Sequence, residues 1–180
     1  RQPVPMESIR LLAAMSDEVL SQSESTLSTA IAARELADIW SQLDDDAQAE
    51  QLLSVALAHA SKLLADGKED RGADPTLQIE VRFTLSSIQF RLANLKLAAG
   101  ELDASRSLLN AAAESIDLPS VRLIPQVAVQ LARIQHRLGD VESRFENFKA
   151  AASHYESALV SFGALEQSVD RTPTLPERSI

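Results

Sequence analysis

The chain has 180 residues, no cysteine and a formal net charge of −9, with 45% hydrophobic but only 4% aromatic residues. That length suits one domain or two small ones, and the lack of cysteine excludes disulfides, thiolate metal sites and a cysteine nucleophile. The acid surplus argues against a nucleic-acid-binding protein, which needs a basic footprint on phosphates, and the apolar stretches are too short and too broken by charge to span a membrane.

Charge is uneven. Residues 1–74 carry 6 basic and 14 acidic groups, residues 75–180 carry 11 and 12. Ala and Leu dominate, and both lose little on entering a helix. The chain begins at Arg1 without Met or a secretory leader, so it reads as a piece of a longer protein. Its compartment is open, with the cytoplasm slightly favoured.

In chain order, a first helix is expected from Met6 to Ser21, with Ile9, Leu12, Ala13, Val19 and Leu20 on its apolar face. The hydroxyls of "SESTLSTA" can cap a second helix, which points Leu27, Ile31, Leu36, Ile39 and Trp40 inward. Asp44–Ala47 break the chain, and their acids suit the start of a third helix, which runs to Leu64 through Leu52, Leu53, Val55, Leu57 and Leu63. Residues 65–75 read as the longest loop, closed by Asp74 as N-cap and Pro75 as first helical residue.

A long fourth helix follows to Ala99, stopped by Gly100, and a fifth, "ELDASRSLLNAAAESI", closes at Leu118-Pro119. The sixth has Pro125 near its start and ends at Gly139, and Asp140 caps a seventh that runs to Phe162. The tail, residues 164–180, contains Pro173 and Pro176 and is expected to be extended or disordered. No alternating strand pattern occurs, so the fold class is all-α.

One pattern recurs. Leu36-Ala37, Trp40, Asp44, Ala49, Leu53, Ala56 has the same spacings as Leu92-Ala93, Lys96, Gly100, Ser105, Leu109, Ala112. A third copy begins at Leu131-Ala132, Gln135, Gly139 and resumes seven residues late with Ala151, Tyr155, Ala158, as if two helical turns had been inserted.

Small and large residues at these intervals resemble the tetratricopeptide repeat family, over residues 27–162. The resemblance implies antiparallel helical hairpins stacked as a right-handed α-solenoid of about seven helices. Three hairpins would span residues 25–64, 75–118 and 120–163, and residues 1–24 would close a preceding repeat. The spacing between units departs from the family's period of about 34: Leu36 and Leu92 are 56 residues apart, Leu92 and Leu131 are 39. A plain antiparallel helical bundle is the rival architecture.

Catalytic patterns are missing. His59, His136 and His154 have no second ligand at metal-helix spacing, and no phosphate loop or nucleophile elbow occurs. The expectation is a non-catalytic chain without cofactor or metal. Between Glu80 and Glu101 the charged residues are Arg82, Arg91 and Lys96; between Asp117 and Asp140 they are Arg122, Arg133 and Arg137, all basic.

In the tetratricopeptide family the first helices line a concave face. The resemblance therefore implies a partner-binding groove formed by Arg34 and Asp38, by Phe90, Arg91 and Asn94, and by Arg133, His136 and Arg137. Asn94 stands where carboxylate-binding members hold a peptide backbone, without their companion lysine. The expected partner is a protein or peptide, acidic or carboxylate-ended, because arginine presents a bidentate fork to carboxylates. The alternatives are a structural bundle that self-associates and a regulatory domain that senses a small ligand.

Overall fold

The computed structural model describes residues 5–69, 74–118 and 124–169. Among them the chain forms seven helices and no strand: α1 (Met6–Ser21), α2 (Leu27–Gln42), α3 (Asp46–Glu69), α4 (Pro75–Ala98), α5 (Leu102–Ile116), α6 (Pro125–Arg144) and α7 (Phe148–Val169). None of the described helices is long and apolar enough to cross a membrane.

The helix starts follow local side-chain chemistry. Thr26 accepts a hydrogen bond from the Thr29 N–H at 3.0 Å, which caps α2. The Asp45 carboxylate accepts from the Gln48 N–H at 3.1 Å ahead of α3. Asp74 accepts from the Thr76 N–H at 2.9 Å, and Pro75 fills the first turn of α4, where no N–H is needed. Pro125 does the same for α6.

Three turns, α2–α3, α4–α5 and α6–α7, are built alike. Each has one residue in the left-handed region: Asp44 (φ 62°), Gly100 (φ 82°) and Glu146 (φ 60°). The following N–H reaches five residues back: Asp45 to the Trp40 carbonyl at 3.0 Å, Glu101 to Lys96 at 2.8 Å, Asn147 to Glu142 at 2.9 Å. The left-handed residues donate three back, to Ser41, Leu97 and Ser143. This is the Schellman arrangement, which satisfies the last carbonyls of the leading helix. The carbonyls of Asp45, Glu101 and Asn147 then accept from Ala49, Ser105 and Ala151 and start the next helix.

The third turn corrects the expected register. Gly139 does not end a helix and Asp140 does not cap one, because α6 continues to Arg144 and α7 begins at Phe148. Counted from Glu146, the set that matches the other hairpins is Leu138-Gly139, Glu142, Glu146, Ala151, Tyr155, Ala158, with no insertion. Leu36, Leu92 and Leu138 are all buried, as are Ala49, Ser105 and Ala151, and Ala56, Ala112 and Ala158. Two further expectations are overturned: α3 runs past Leu64 to Glu69, and α7 past Phe162 to Val169, so residues 65–69 and 164–169 are helical rather than loop or tail. Residues 70–73 and 170–180, expected as loop and tail, lie outside the described residues.

The chain divides into two compact units, residues 1–116 and 117–180. In the first, α2 packs on α3, α3 on α4 and α4 on α5, while α1 rests on α2 and α3. Its core is built on Leu36, Trp40, Leu52, Leu53, Ile88 and Leu92 among small alanines. Complete burial of a leucine such as Leu52 contributes about 2 kcal/mol. The alanines and serines sit where helices approach closely: the Ser105 hydroxyl donates to the Ala93 carbonyl at 2.8 Å, tying α5 to α4. Because α4 lies against α2, α3 and α5, it buries Val81, Leu85, Ile88 and Leu92 on several sides and shows little amphipathicity. In the second unit α6 and α7 form one hairpin around Val127, Ile134, Leu138, Val141, Ala151 and Ala158.

Candidate functional site

Unit 1 places Arg34 and Asp38 on α2, and Phe90, Arg91 and Asn94 on α4. Arg91 grips Asp38 with two parallel bonds, Nε to Oδ1 and Nη2 to Oδ2, both 2.5 Å, and its Nη1 donates to the Ser87 hydroxyl at 2.8 Å. Arg91 and Asp38, both expected to face a partner, are therefore partners of each other, and they clamp α2 to α4. Arg34 pairs with Glu35, and its Nε is buried with no hydrogen-bond acceptor among the described residues. Phe90 and Asn94 are half-buried on α4.

The other cations of α4 divide. Lys96 bonds to Glu50 at 2.7 Å and Glu101 at 3.1 Å. Those bonds, to Glu50 first and Glu101 second, raise its pKa above the ordinary lysine value. Arg82 is half-buried without an ion pair among the described residues. The run of basic residues on α4 is thus largely neutralised inside the unit.

Unit 2 differs. On α6, Arg133, His136 and Arg137 occupy positions i, i+3 and i+4 and so share one face. Arg133 is exposed and makes no ion pair with a described residue. The side chains of His136 and Arg137 are 57% and 43% exposed, enough to meet a second molecule.

Asp140, one turn on, organises them. It accepts from Arg137 Nη1 at 2.8 Å and from the Tyr155 hydroxyl at 2.9 Å, and His136 Nδ1 stands 3.7 Å away. The rings of His136 and Tyr155 are 5.4 Å apart and tilted by 60°. Burial first, and the Asp140 carboxylate second, push the Tyr155 phenol above the ordinary tyrosine value. Behind this face, His154 Nδ1 lies 2.8 Å from Gln135 Oε1.

Asp140 and Tyr155 were expected from sequence as a helix cap and a packing residue, not as part of the contact face. The spacing of Asp140 from His136 and Arg137, i+4 and i+3, is a signal that could have found the first. Arg122, counted in the basic stretch, lies outside the described residues. Among the described residues no three His, Cys, Asp or Glu side chains are grouped to hold a metal ion. What the α6 face offers chemically is two guanidinium forks and an imidazole, with Asp140 holding one fork in place. Searches against protein-family models, curated proteins and solved structures found no match.

Proposed function

We propose that the chain is a non-catalytic, tetratricopeptide-like interaction module that binds an acidic segment of a partner protein, with Arg133, His136 and Arg137 of α6 as the contact face. The observation that carries this reading is the exposure of Arg133, His136 and Arg137 on one helix face, with Arg137 held in place by Asp140. The recurrence of one hairpin turn at three places supports the repeat character. An acidic segment suits the face because guanidinium–carboxylate bonds are charge-assisted and geometrically selective.

The test is binding of a fluorescent glutamate-rich peptide to the wild-type chain and to Arg133→Glu. Arg133 is exposed, so both proteins should have equal helicity and melting temperature. The expected result is a loss of about tenfold or more in affinity, the equivalent of one charge-assisted contact, together with weakening by salt. Equal affinity for both proteins would rule the face out.

Self-association is the second reading. It is favoured by exposed apolar side chains on α7: Phe148 at 66%, Leu159 at 70% and Val160 at 73%. A concentration-dependent mass in sedimentation that Leu159→Lys abolishes would support it.

A further inference from the structure

The helix α1 buries only Leu12 and Ser16. Ala13, Val19 and Leu20 pack against the core, while another part of its apolar surface, with that of α2, borders a cleft of about 340 Å³ lined by Ser8, Ile9, Leu11, Leu12, Met15, Ile39 and Leu43. Three of these side chains are largely open: Leu11 at 64%, Met15 at 48% and Ile39 at 43%. Apolar side chains concentrated in one concavity mark a binding surface rather than scattered exposure.

The spacing of the lining residues describes the occupant. Leu11 and Met15 are one turn apart on α1, and Ile39 of α2 is one turn before Leu43, the residue that caps that helix, so the cleft is a groove between two helices that takes the ridge of a third. Methionine suits such a surface, because its unbranched, polarisable side chain adapts to the ridge it meets.

Charge selects among helices. Along α1 the stripe Glu7, Leu11, Met15, Glu18 places an acid at each end of the apolar pair, and Asp17 lies beside it. Past the end of α2, Leu43 is followed by Asp44 and Asp45 in the turn and by Asp46 at the start of α3, so three acids follow the apolar pair. Arg10 is the one cation on α1 among its described residues. Two copies of this face would set acid against acid, which disfavours pairing with itself.

We propose that this groove receives an amphipathic helix from a partner protein, with leucine-like residues at i, i+3, i+4 and i+7 flanked by lysine or arginine. The apolar side chains enter the cleft and the flanking cations reach Glu7, Glu18 and the aspartates after Leu43. This is the helix-in-groove mode of recognition, and it is separate from the acidic ligand assigned to α6.

The experiment uses two synthetic amphipathic peptides of about 18 residues, identical in their leucines but carrying either lysine or glutamate at every polar position. A scrambled lysine peptide serves as the control for bulk charge. Fluorescence anisotropy is measured against the wild-type chain, against Leu11→Ser/Met15→Ser, and against Glu7→Gln/Glu18→Gln. The replaced side chains are exposed, so helicity and melting should match the wild type.

The lysine peptide should bind the wild type at least about tenfold more tightly than the glutamate or scrambled peptide. Each double variant should lose about tenfold, and salt should weaken only the lysine peptide. The proposal is overturned if the lysine peptide fails to bind, if the serine variant binds it as the wild type does, or if the glutamate peptide binds equally. It is also overturned if the wild type sediments as a dimer that the serine variant dissolves, since the groove would then be filled by a second copy.

Discussion

The ring of Tyr155 occupies the space that a side chain at Gly139 would need: a Cβ there would fall 2.4 Å from Cε1 and 2.6 Å from Cδ1. In the other hairpins the corresponding pairs are Ala37 with Leu53 and Ala93 with Leu109. Glycine and tyrosine have thus exchanged volume, small against large, at one position of the third hairpin.

Gly139→Ala should destabilise the chain by up to about 2 kcal/mol. Overpacking against the ring costs about 1–3 kcal/mol, and the better helix propensity of alanine returns about 1. Combining it with Tyr155→Leu recreates the pair of the other two hairpins, so the double variant should be markedly more stable than the sum of the singles predicts. Urea unfolding of the four proteins gives the coupling energy. Strict additivity, or stabilisation by Gly139→Ala alone, would refute the steric account.

Trp40 is 8% exposed and donates its indole N–H to the Ser16 hydroxyl at 2.9 Å, while Ser16 donates to the Leu12 carbonyl, also at 2.9 Å. Ser16→Ala strands the indole N–H in the core and should cost about 1–3 kcal/mol. Ser16→Cys keeps a weak acceptor and should cost less. Trp40 is the chain's one tryptophan, so its fluorescence reports the site directly during denaturation. A neutral Ser16→Ala would show that the indole finds another acceptor.

Tyr155 is the chain's one tyrosine, so phenolate absorbance follows it alone. Its pKa in the fold is raised, by burial and by Asp140. The neutral phenol is therefore the form the fold prefers, and its contribution is complete below the unfolded value of about 10 and is lost as pH rises through the folded value. The titration should lie above that of the urea-unfolded chain, and Asp140→Asn should move it part of the way back. In Tyr155→Phe this portion of alkaline destabilisation should vanish. Coincident titration curves for folded and unfolded chain would sink the assignment.

The helix starts were legible because their signals are local: Thr26, Asp74, Pro75 and Pro125 act on backbone within one turn. Gly100 was legible as a stop for the same reason. The α6–α7 turn was not, because its left-handed residue is Glu146, which announces nothing, while Gly139 about two turns earlier imitates a turn glycine. Counting back from Ala151, Tyr155 and Ala158 by the spacing of the other two hairpins would have found Leu138 and Glu146.

The basic run on α4 was visible, but its neutralisation was not. Asp38 is 53 residues from Arg91 in sequence and meets it only through packing of α2 on α4. The apolar groove on α1 was equally hidden, since periodicity identifies Leu11 and Met15 as apolar without saying whether anything covers them.

The hairpin turn accepts aspartate, glycine and glutamate at the same left-handed position, since what closes it is a set of main-chain carbonyls rather than any side chain. Grammar and vocabulary are separate in such a hairpin: the backbone supplies the punctuation, a few small and large buried residues supply the syntax, and the outward positions are free to be rewritten. Randomising the exposed positions around Arg133 while keeping Leu138, Gly139, Ala151, Tyr155 and Ala158 would therefore yield a family of folded chains that differ in what they recognise.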